Sequence, residues 1–511
     1  MTAKEALVTA ALLGTENHTI EPLKNIDQTS QLELLINNAL TREESTTESR
    51  LLSAASIVFQ YERAGMILPQ SDDASDIAVS EEDNRPLVNE KLSLSFRRIV
   101  EDFPKLKDEW FVQVDKSKNR LPEDLLPEVL DFLTSSKRDL IEPELLKRVI
   151  GARGVWLCSM NPEWKILDDA MAPVSAELFD TGDFNIRCST LSFIREEDPA
   201  KARELVKKSW QENIPAERAA FIEILKNNLS QDDESLLEFA LDDTRMEVRQ
   251  AAASLLAFLP DSAYSKRMKE RFDSIVQIKK GFISSKLEIN VSFEYSKDMK
   301  RDGMNQKLDY VQGEKAGIVV QIINNVNPEI ILKSSGLSPD KLLKLITESE
   351  WKDTLLVGLV QSAIKFKNQE ILLSMLLSDI PYLLEIEMFA ELESDQKEKV
   401  VASWIDKSNG NLIAAHNGFR HIECINRMEY PWSRQMSDRI FTAMQKMLSE
   451  KNNEYFLAPF TLTVATFADS SILDKLDKAT ADCAYLSDSS IDRIHSLITL
   501  RKTILASSPS S

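Results

Sequence analysis

Apolar residues recur three and four positions apart along most of the chain, which is the spacing of one face of an α-helix. Residues 234–241 form a short segment of this kind, and a longer apolar stripe follows it. Asp242, Asp243 and Thr244 lie between the two, where a short side chain can cap the second helix and keep the turn tight. The pattern therefore predicts two helices joined by a tight turn. The stripe of the second helix consists of Val248, Ala251, Ala252, Leu255, Leu256 and Leu259.

Three arginines begin successive apolar helices at a constant interval. Arg187, Arg218 and Arg249 each follow the previous one by 31 positions, and small or apolar residues come three and four positions after each. A period of this size is typical of an array of helical units, each of which buries its apolar face against its neighbour. The sequence predicts a mostly α fold arranged as an α-α solenoid.

The helical spacing is interrupted after Lys280. Residues 286–295 alternate apolar and polar side chains, which is the pattern of a half-buried strand. A strand needs a partner, and residues 307–313 are the nearest candidate. We therefore expect a small β-hairpin insertion near 286–312.

These patterns divide the chain into six parts. A polar, acidic stretch bounded by prolines at 69 and 86 is the best candidate for a linker. The expected parts are an N-terminal helical segment (1–68), an acidic linker or loop (69–86), helical repeats (87–280), a strand-containing insertion (281–315), C-terminal helical repeats (316–506) and a disordered tail (507–511).

Composition narrows the classes of function. Glycine accounts for 13 of 511 residues, so tight hairpins and glycine-rich phosphate loops must be scarce. The net charge of −20 repels polyanions, and we expect neither nucleic acid nor a membrane as a partner. The four cysteines are far apart and form no C-x-x-C pair, which favours reduced thiols and a cytoplasmic location. The apolar run before Gly14 lacks the basic segment of a signal peptide and is predicted to be a helix.

Candidate chemistry is sparse. His18, His416, His421 and His495 are scattered, and no nucleotide-binding or nucleophile motif occurs. His416 and His421 lie near Cys424, but the cluster lacks a second matched pair of ligands, so a helix start is favoured over a metal site. The sequence predicts no catalytic residue, no metal and no cofactor.

Two other segments of the sequence each allow both a functional and a structural interpretation. Lys300, Arg301, Asp302 and Gly303 form a possible interaction loop, or else a turn that needs Gly303 at positive φ. Trp156 and Trp164 are typical of a packed junction. Together with Arg301, the two tryptophans are also the candidates for an unrecognised enzyme site.

Residues 236–259 resemble a HEAT repeat, whose pattern is an apolar helix, an Asp turn, Val-Arg, Ala-Ala and spaced leucines. In HEAT proteins the Asp and Arg form a ladder between successive repeats. The resemblance implies a structural role for Asp242, Asp243, Arg187, Arg218 and Arg249.

Several motifs are also similar to those of a bacterial family of unknown function whose members open with an "ALLGT" helix. They are "LVTAALLGTE" (7–16), "GARGVWLCSMNPEW" (151–164), the HEAT-like unit, and "RDG" followed by "GEKA" (301–303 and 313–316). The basic, Pro-containing stretch that usually follows the opening motif is here "NHTIEP". The family's genes are thought to lie near those for a MoxR-type ATPase and a von Willebrand A-type protein. The resemblance implies a protein partner, either an AAA-type ATPase or its associated proteins.

The leading hypothesis is a non-enzymatic scaffold that binds another protein along an α-solenoid, accessory to a MoxR-type ATPase. An enzyme with a site near Trp156, Trp164 and Arg301 is the alternative. A HEAT-type nucleic-acid enzyme or binder is a third hypothesis, which the net charge opposes.

Overall fold

The computed structural model describes residues 3–14, 30–42, 46–64, 80–135, 142–164, 177–280, 285–378, 380, 385–413, 415, 417–450 and 454–506. These residues form 27 α-helices and two β-strands, which confirms the prediction of a mostly α protein with a small β element. The chain divides into two compact units, residues Met1–Val79 and Ser80–Ser511. Within the described part of the chain, the structure contains no helix with the length and apolar character that crossing a membrane requires.

The described residues of the first unit form three helices. The predicted N-terminal helix is α1, and Gly14 follows it with φ at +85°. Both α1 and α2 pack against α3. Residues 69–79 of the predicted linker (69–86) lie outside the described residues. The helices are α1 Ala3–Leu13, α2 Ser30–Leu40 and α3 Thr47–Ala64. Their shared core consists of Leu7, Ala10, Ile36, Leu40, Leu51, Ala54 and Val58.

The second unit begins with four helices that pack on one another. α4 packs on α5, and α7 packs on both α5 and α6. Inside α7, Gly151 adopts φ +71° and ψ −179°, which interrupts the helical backbone. These helices are α4 Glu90–Asp102, α5 Lys107–Lys116, α6 Leu126–Ser135 and α7 Pro143–Met160.

Twenty further helices complete the second unit. They are α8 Glu177–Thr181, α9 Phe184–Glu197, α10 Pro199–Lys208, α11 Pro215–Ile224, α12 Glu234–Ala240, α13 Met246–Leu256, α14 Ala263–Ile275, α15 Lys297–Arg301, α16 Glu314–Asn324, α17 Pro328–Ser335, α18 Pro339–Thr347, α19 Lys352–Lys365, α20 Gln369–Leu377, α21 Glu385–Ala390, α22 Ser394–Lys407, α23 Gly418–Asn426, α24 Arg434–Ser449, α25 Glu454–Phe467, α26 Leu473–Ala481 and α27 Asp488–Leu505. Short 3₁₀ turns occupy Pro104–Leu106, Pro162–Trp164, Gln231–Asp233 and Ser470–Ile472.

Many of these helices begin at a short polar side chain that caps them. The carboxylate of Asp183 accepts the backbone N–H of Ile186 at the start of α9. Asp198 caps α10 in the same way, and Pro199 is the first residue of that helix, where a missing N–H costs no hydrogen bond. Polar and proline residues between the apolar stripes therefore set the helix boundaries.

Beyond α17 the helices lie in two adjacent rows. Each of α19, α21, α23 and α25 contacts the next odd-numbered helix, and each of α18, α20, α22 and α24 contacts the next even-numbered one. Earlier in the chain, α9 contacts α11 and α11 contacts α13. The last helix, α27, packs against α4 and α5 at the start of the unit. One apolar core extends through this unit from Val88 to Ile504.

The β element differs from the predicted one in its pairing. Strand β1 (Val276–Lys280) pairs antiparallel with β2 (Ser285–Ile289), with Ile278 opposite Leu287. The predicted strand at 286–295 is therefore real only over its first part, and 307–313 as its partner is wrong. Only four positions of the chain separate β1 from β2, so bringing these two strands together costs less conformational entropy than pairing across residues 290–306.

Candidate functional site

The three arginines of the 31-residue period make the same pair of contacts. Each donates to a backbone carbonyl oxygen that precedes its own helix in the chain, and each also contacts an acceptor further along the chain. Arg187 donates from Nε to the Phe179 carbonyl at 2.9 Å and from Nη2 to Oδ1 of Asn213 at 2.6 Å. Arg218 donates to the Asn213 carbonyl at 2.5 Å, and its Nε lies 2.9 Å from Oδ2 of Asp243. Asn213 thus joins the first arginine to the second.

Arg249 continues this series. Its Nη1 donates to the Asp243 carbonyl at 2.6 Å, and its Nε donates to the Lys300 carbonyl at 3.1 Å. Oδ1 of Asp243 also accepts the backbone N–H of Arg245, which holds the turn before α13. The arginines therefore connect α9, α11 and α13 with one another and with the carbonyl of Lys300 in α15.

Aromatic rings cover the first two guanidinium groups. The guanidinium carbon of Arg187 lies 5.1 Å from the ring centre of Phe179 and 4.9 Å from that of Phe221. The corresponding carbon of Arg218 lies 5.6 Å from the ring centre of Trp210. Cation–π contacts of this kind add to the hydrogen bonds in fixing the side chains.

The segment Lys300–Gly303 is attached to the helices through its charged side chains. Asp302 retains 1% side-chain exposure and lies between Arg267, at 2.8 Å, and Arg271, at 2.7 Å. Arg301 donates to Oδ1 of Asp242 at 2.6 Å. This hydrogen bond lowers the pKa of the Asp242 carboxyl. Each of these carboxylates is paired with a guanidinium, so this cluster offers no unpaired base for catalysis.

The other two residues of the segment are Gly303 and Lys300, whose backbone atoms make the contacts described here. Gly303 has φ +76°, and a Cβ atom there would lie 3.1 Å from the Arg249 carbonyl oxygen. A side chain at this position is therefore strained by both backbone and contact. The side chain of Lys300 is exposed, and only its carbonyl takes part in the arginine series.

Arg195 and Asp233 form a second charged centre that the sequence analysis missed. Neither side chain retains exposed surface, and the two approach to 2.7 Å. The guanidinium also donates to four carbonyl oxygens, those of Pro199, Leu225, Asn227 and Asn228. Helical spacing could have identified Arg195, because it lies four positions after the buried Leu191.

The residues named for an enzyme site lie on separate elements. The indole N–H of Trp164 donates to Oδ1 of Asp131 in α6 at 2.7 Å. The Arg153 guanidinium lies over the ring of Trp156 at 4.2 Å, within α7. Arg301 is bound by Glu238 in α12 and by Asp242, which follows that helix. Since α7 packs on α5 and α6 whereas α12 packs on α13, the structure does not place the three residues in one cleft.

In the predicted cluster of His416, His421 and Cys424, an aromatic stacking contact holds His421. His421 stacks on Trp404 at 4.2 Å, and its Nε2 lies 3.8 Å from Oε1 of Glu385. Cys424 is buried, and this burial raises the pKa of its thiol. Nδ1 of His495 lies 2.6 Å from Asp477, whereas His18 and His416 lie outside the described residues. In the ranges that the structure describes, no three His, Cys, Asp or Glu side chains converge as metal ligands.

A family model described as "Family of unknown function (DUF5691)" matches residues 6–508, nearly the whole chain. No curated protein matches the sequence. No solved structure matches it.

Proposed function

The chain belongs to the family of unknown function DUF5691, and we propose that it is a non-enzymatic scaffold that binds another protein along an α-solenoid of HEAT-like units. The observation that supports this proposal most is the repeated contact pattern of Arg187, Arg218 and Arg249: each contacts a carbonyl oxygen that precedes its helix and an acceptor further along the chain. A ladder of this kind serves to align repeated units, which leaves their outer faces for binding.

The two rows of helices support the solenoid arrangement. In such an array each unit contacts its neighbours, as the helices from α18 to α27 do, and the array presents an extended surface. The charged groups at Asp242, Arg301 and Asp302 are paired internally, which favours a structural role for that segment over direct binding through those side chains.

An apolar patch beside the first arginine is the surface that we propose for the partner. We define the Arg187 patch as Leu178, Phe184, Ile186 and Ile214, which are 43%, 43%, 44% and 61% exposed. Phe184 contacts Phe221, whose ring the Arg187 guanidinium also covers. Exposed apolar side chains that lie together on a surface are typical of a site that binds another protein.

The proposed partner is an AAA-type ATPase of the MoxR class or one of its associated proteins. Its support is the family resemblance of the motifs at 7–16, 151–164 and 301–316. A cytoplasmic location is part of the proposal, and it accords with the four free thiols. The enzyme alternative has less support because Trp156, Trp164 and Arg301 contact separate elements.

Cross-linking of the full chain in its native host tests the proposal. We expect cross-links from α8, α9 and α11 to one recurring ATPase or associated protein. Ile186→Asp combined with Ile214→Asp should abolish them, whereas Tyr455→Asp, at an exposed aromatic position on α25, should leave them unchanged. Recovery of the chain without any recurring cross-linked protein would overturn the scaffold function. Equal cross-linking by the patch variant would overturn the choice of surface.

A further inference from the structure

Strand β2 is paired along one edge only. Within the described residues the sheet consists of β1 and β2, and the pairing continues to Asn290, whose N–H donates to the Ile275 carbonyl at 2.8 Å. In an extended chain the N–H and C=O groups of successive residues point to opposite edges. Because those of Asn290 point toward β1, the odd-numbered residues from Leu287 onward present theirs on the other edge.

This second edge continues beyond the end of β2, and we call residues 286–295 the open edge. Residues 290–295 keep the alternation of the strand, since the even-numbered side chains are exposed and the odd-numbered ones are half-buried against the core. In the part of the chain that the structure describes, no backbone group outside β1 bonds to residues 287, 289, 291 or 293. The exposed side chain of Lys315 donates to the Val291 carbonyl at 2.7 Å. A row of unpaired backbone groups of this kind is a template for another strand.

Two exposed charges on the open edge have no partner of opposite charge among the described residues. Lys286 lies opposite Lys279 in the β1–β2 register, and Lys279 is paired with Glu288 at 2.6 Å. Neither Lys286 nor Glu294 forms an ion pair with a described residue. Antiparallel pairing of two copies about Asn290 would place Lys286 of each copy opposite Glu294 of the other. Opposite charges directly across two strands attract, and the two-fold symmetry forms this pair twice.

Other registers of the same edge lack this complementarity. Centring the two copies on Val291 would place Glu288 opposite Glu294, where like charges repel. Centring them on Ile289 would place Lys286 opposite Ser292 and leave the charges unpaired. The register about Asn290 also pairs odd-numbered with odd-numbered residues, whose backbone groups face the open edge. Its apolar pairs are Leu287 with Phe293 and Ile289 with Val291.

We propose that the chain forms a two-fold symmetric dimer in which the open edges of two copies pair antiparallel about Asn290. The two hairpins then join into one four-stranded sheet, and each copy contributes the same residues, as a two-fold interface requires. Lys315 does not prevent this pairing, because the Val291 carbonyl has a second lone pair that can accept an N–H of the other copy. The open edge shares no residue with the Arg187 patch. This inference goes beyond the scaffold function and does not depend on it.

Sedimentation velocity of the full chain tests the proposal. We expect monomers to convert into dimers as the protein concentration rises from about 1 to 200 μM, with slower amide hydrogen exchange in residues 286–295. A chain that stays monomeric over this range overturns the proposal in favour of an extended segment of another protein at this edge. A dimer whose residues 286–295 exchange as fast as in the monomer also overturns it.

Charge reversal tests the register. Lys286→Glu and Glu294→Lys each create two like-charge pairs across the interface, so each should raise the dimer dissociation constant about tenfold. The double variant exchanges the two charges and should return the constant to within about threefold of the parent value. Lys116→Glu, at an exposed position on α5, controls for the change in net charge and should leave the constant unchanged. Two weakened single variants without recovery in the double variant would overturn the pairing of Lys286 with Glu294.

A proline substitution tests the backbone pairing. Val291→Pro removes an N–H that has no partner among the described residues, so the monomer should keep its fold while the dimer is lost. Val291→Thr is the matched control, because it keeps the N–H and the branched side chain, and it should still dimerise. Circular dichroism verifies that both variants are folded. Equal dimerisation of the folded proline and threonine variants would overturn the open edge as the interface.

Discussion

Arg195 and Asp233 connect the end of α9 to the start of α12 through an ion pair without any exposed surface. Asp233 also accepts the backbone N–H of Ser230 at 2.8 Å, so the same carboxylate caps the turn that precedes α12. All three guanidinium nitrogens of Arg195 donate hydrogen bonds. The pair is therefore fully satisfied despite its burial, which is the condition under which a buried charge is tolerated.

Removal of this guanidinium should be strongly destabilising. Arg195→Ala leaves the buried carboxylate of Asp233 without its main partner, and we expect a loss of about 3–5 kcal/mol in the free energy of unfolding. Urea denaturation measures the change. Arg203, which contacts the same carboxylate at 3.1 Å but retains 20% exposure, is the control. Arg203→Ala should cost less than about 1.5 kcal/mol, and equal losses in the two variants would contradict the role assigned to burial.

The apolar stripe of α13 provides a second comparison. Val248 is 0% exposed in the core, whereas Arg245 at the helix start is exposed. Val248→Asp introduces an unpaired charge into the core and should cost at least about 4 kcal/mol, whereas Arg245→Ala should change stability by less than about 0.5 kcal/mol. Thermal and urea unfolding distinguish these outcomes. Similar losses at both positions would mean that the stripe does not face the core.

A methyl group at Gly303 should be destabilising. The positive φ and the 3.1 Å approach to the Arg249 carbonyl predict a loss of about 1–3 kcal/mol for Gly303→Ala. Gly317→Ala is the matched control, because its Cβ meets Leu308 at an ordinary 3.4 Å inside α16. That control should be neutral or stabilising by up to about 1 kcal/mol. A Gly303→Ala protein as stable as its parent would remove the argument for a strained turn.

The stability contribution of Lys365 should depend on pH with a definite sign. Its folded-state pKa of about 7 lies below that of the unfolded chain, so between these two values the unfolded state binds more protons. The burial penalty is complete below pH 7 and diminishes as the pH rises toward about 10.4. Lys365→Met should therefore be more stable than the parent by about 2–4 kcal/mol at pH 6.5.

That advantage should become smaller at pH 9.5, as measured by urea denaturation at both pH values. Lys333 has 74% side-chain exposure and is the control. Lys333→Met should differ from the parent by less than about 0.5 kcal/mol at either pH. A constant advantage of Lys365→Met at both pH values would show that the amine is not desolvated.

The contact of α27 with the beginning of the second unit predicts a local effect. Arg501 donates two hydrogen bonds to the carboxylate of Glu109, at 2.7 and 2.9 Å, and retains 4% side-chain exposure. Arg501→Ala should lower the free energy of unfolding by about 3 kcal/mol and speed amide hydrogen exchange in α4 and α5. Exchange in α9 and α11 should not change.

Arg493 is the control for this contact. Its guanidinium lies over the Phe103 ring at 5.6 Å, and Arg493→Ala should cost less than about 1 kcal/mol. If α4 and α5 kept their protection in Arg501→Ala, the ion pair would not be what joins α27 to them.

Local patterns were sufficient to predict much of the helical structure. The stripe from Val248 to Leu259 was readable because it depends on residues a few positions apart. The prediction that Asp242, Asp243 or Thr244 caps the second helix is wrong, because the N-cap residue of α13 is Arg245 and no side chain caps the helix there. The strand pairing could not be predicted from such patterns. The segment "VQIKK" at 276–280 has only two apolar positions and directly continues α14, so nothing in the sequence marks it as a separate strand. The alternating segment 286–295 was conspicuous, but its partner lay before it in the chain.

The pairing of the charged residues with one another could not be predicted for a different reason. Arg301 bonds with Asp242 across 59 positions, and Arg195 with Asp233 across 38. Each partner belongs to a run of charges that is equally compatible with a solvated surface. Only the tertiary packing determines which of these charges become buried. Lys365 was missed because its hydrogen-bond partner, Asn325, is neutral and so leaves no charge pattern in the sequence.

Because α27 packs on α4 and α5, two parts of the chain that contact each other are synthesised at different times. Glu109 and Arg501 are 392 positions apart, and translation at about 5–20 residues per second separates their synthesis by about 20–80 s. During that interval the nascent α4 and α5 have no α27 to cover them. A chain that terminates before residue 488 keeps this surface uncovered permanently, so chaperones and proteases can recognise an incomplete product at its beginning.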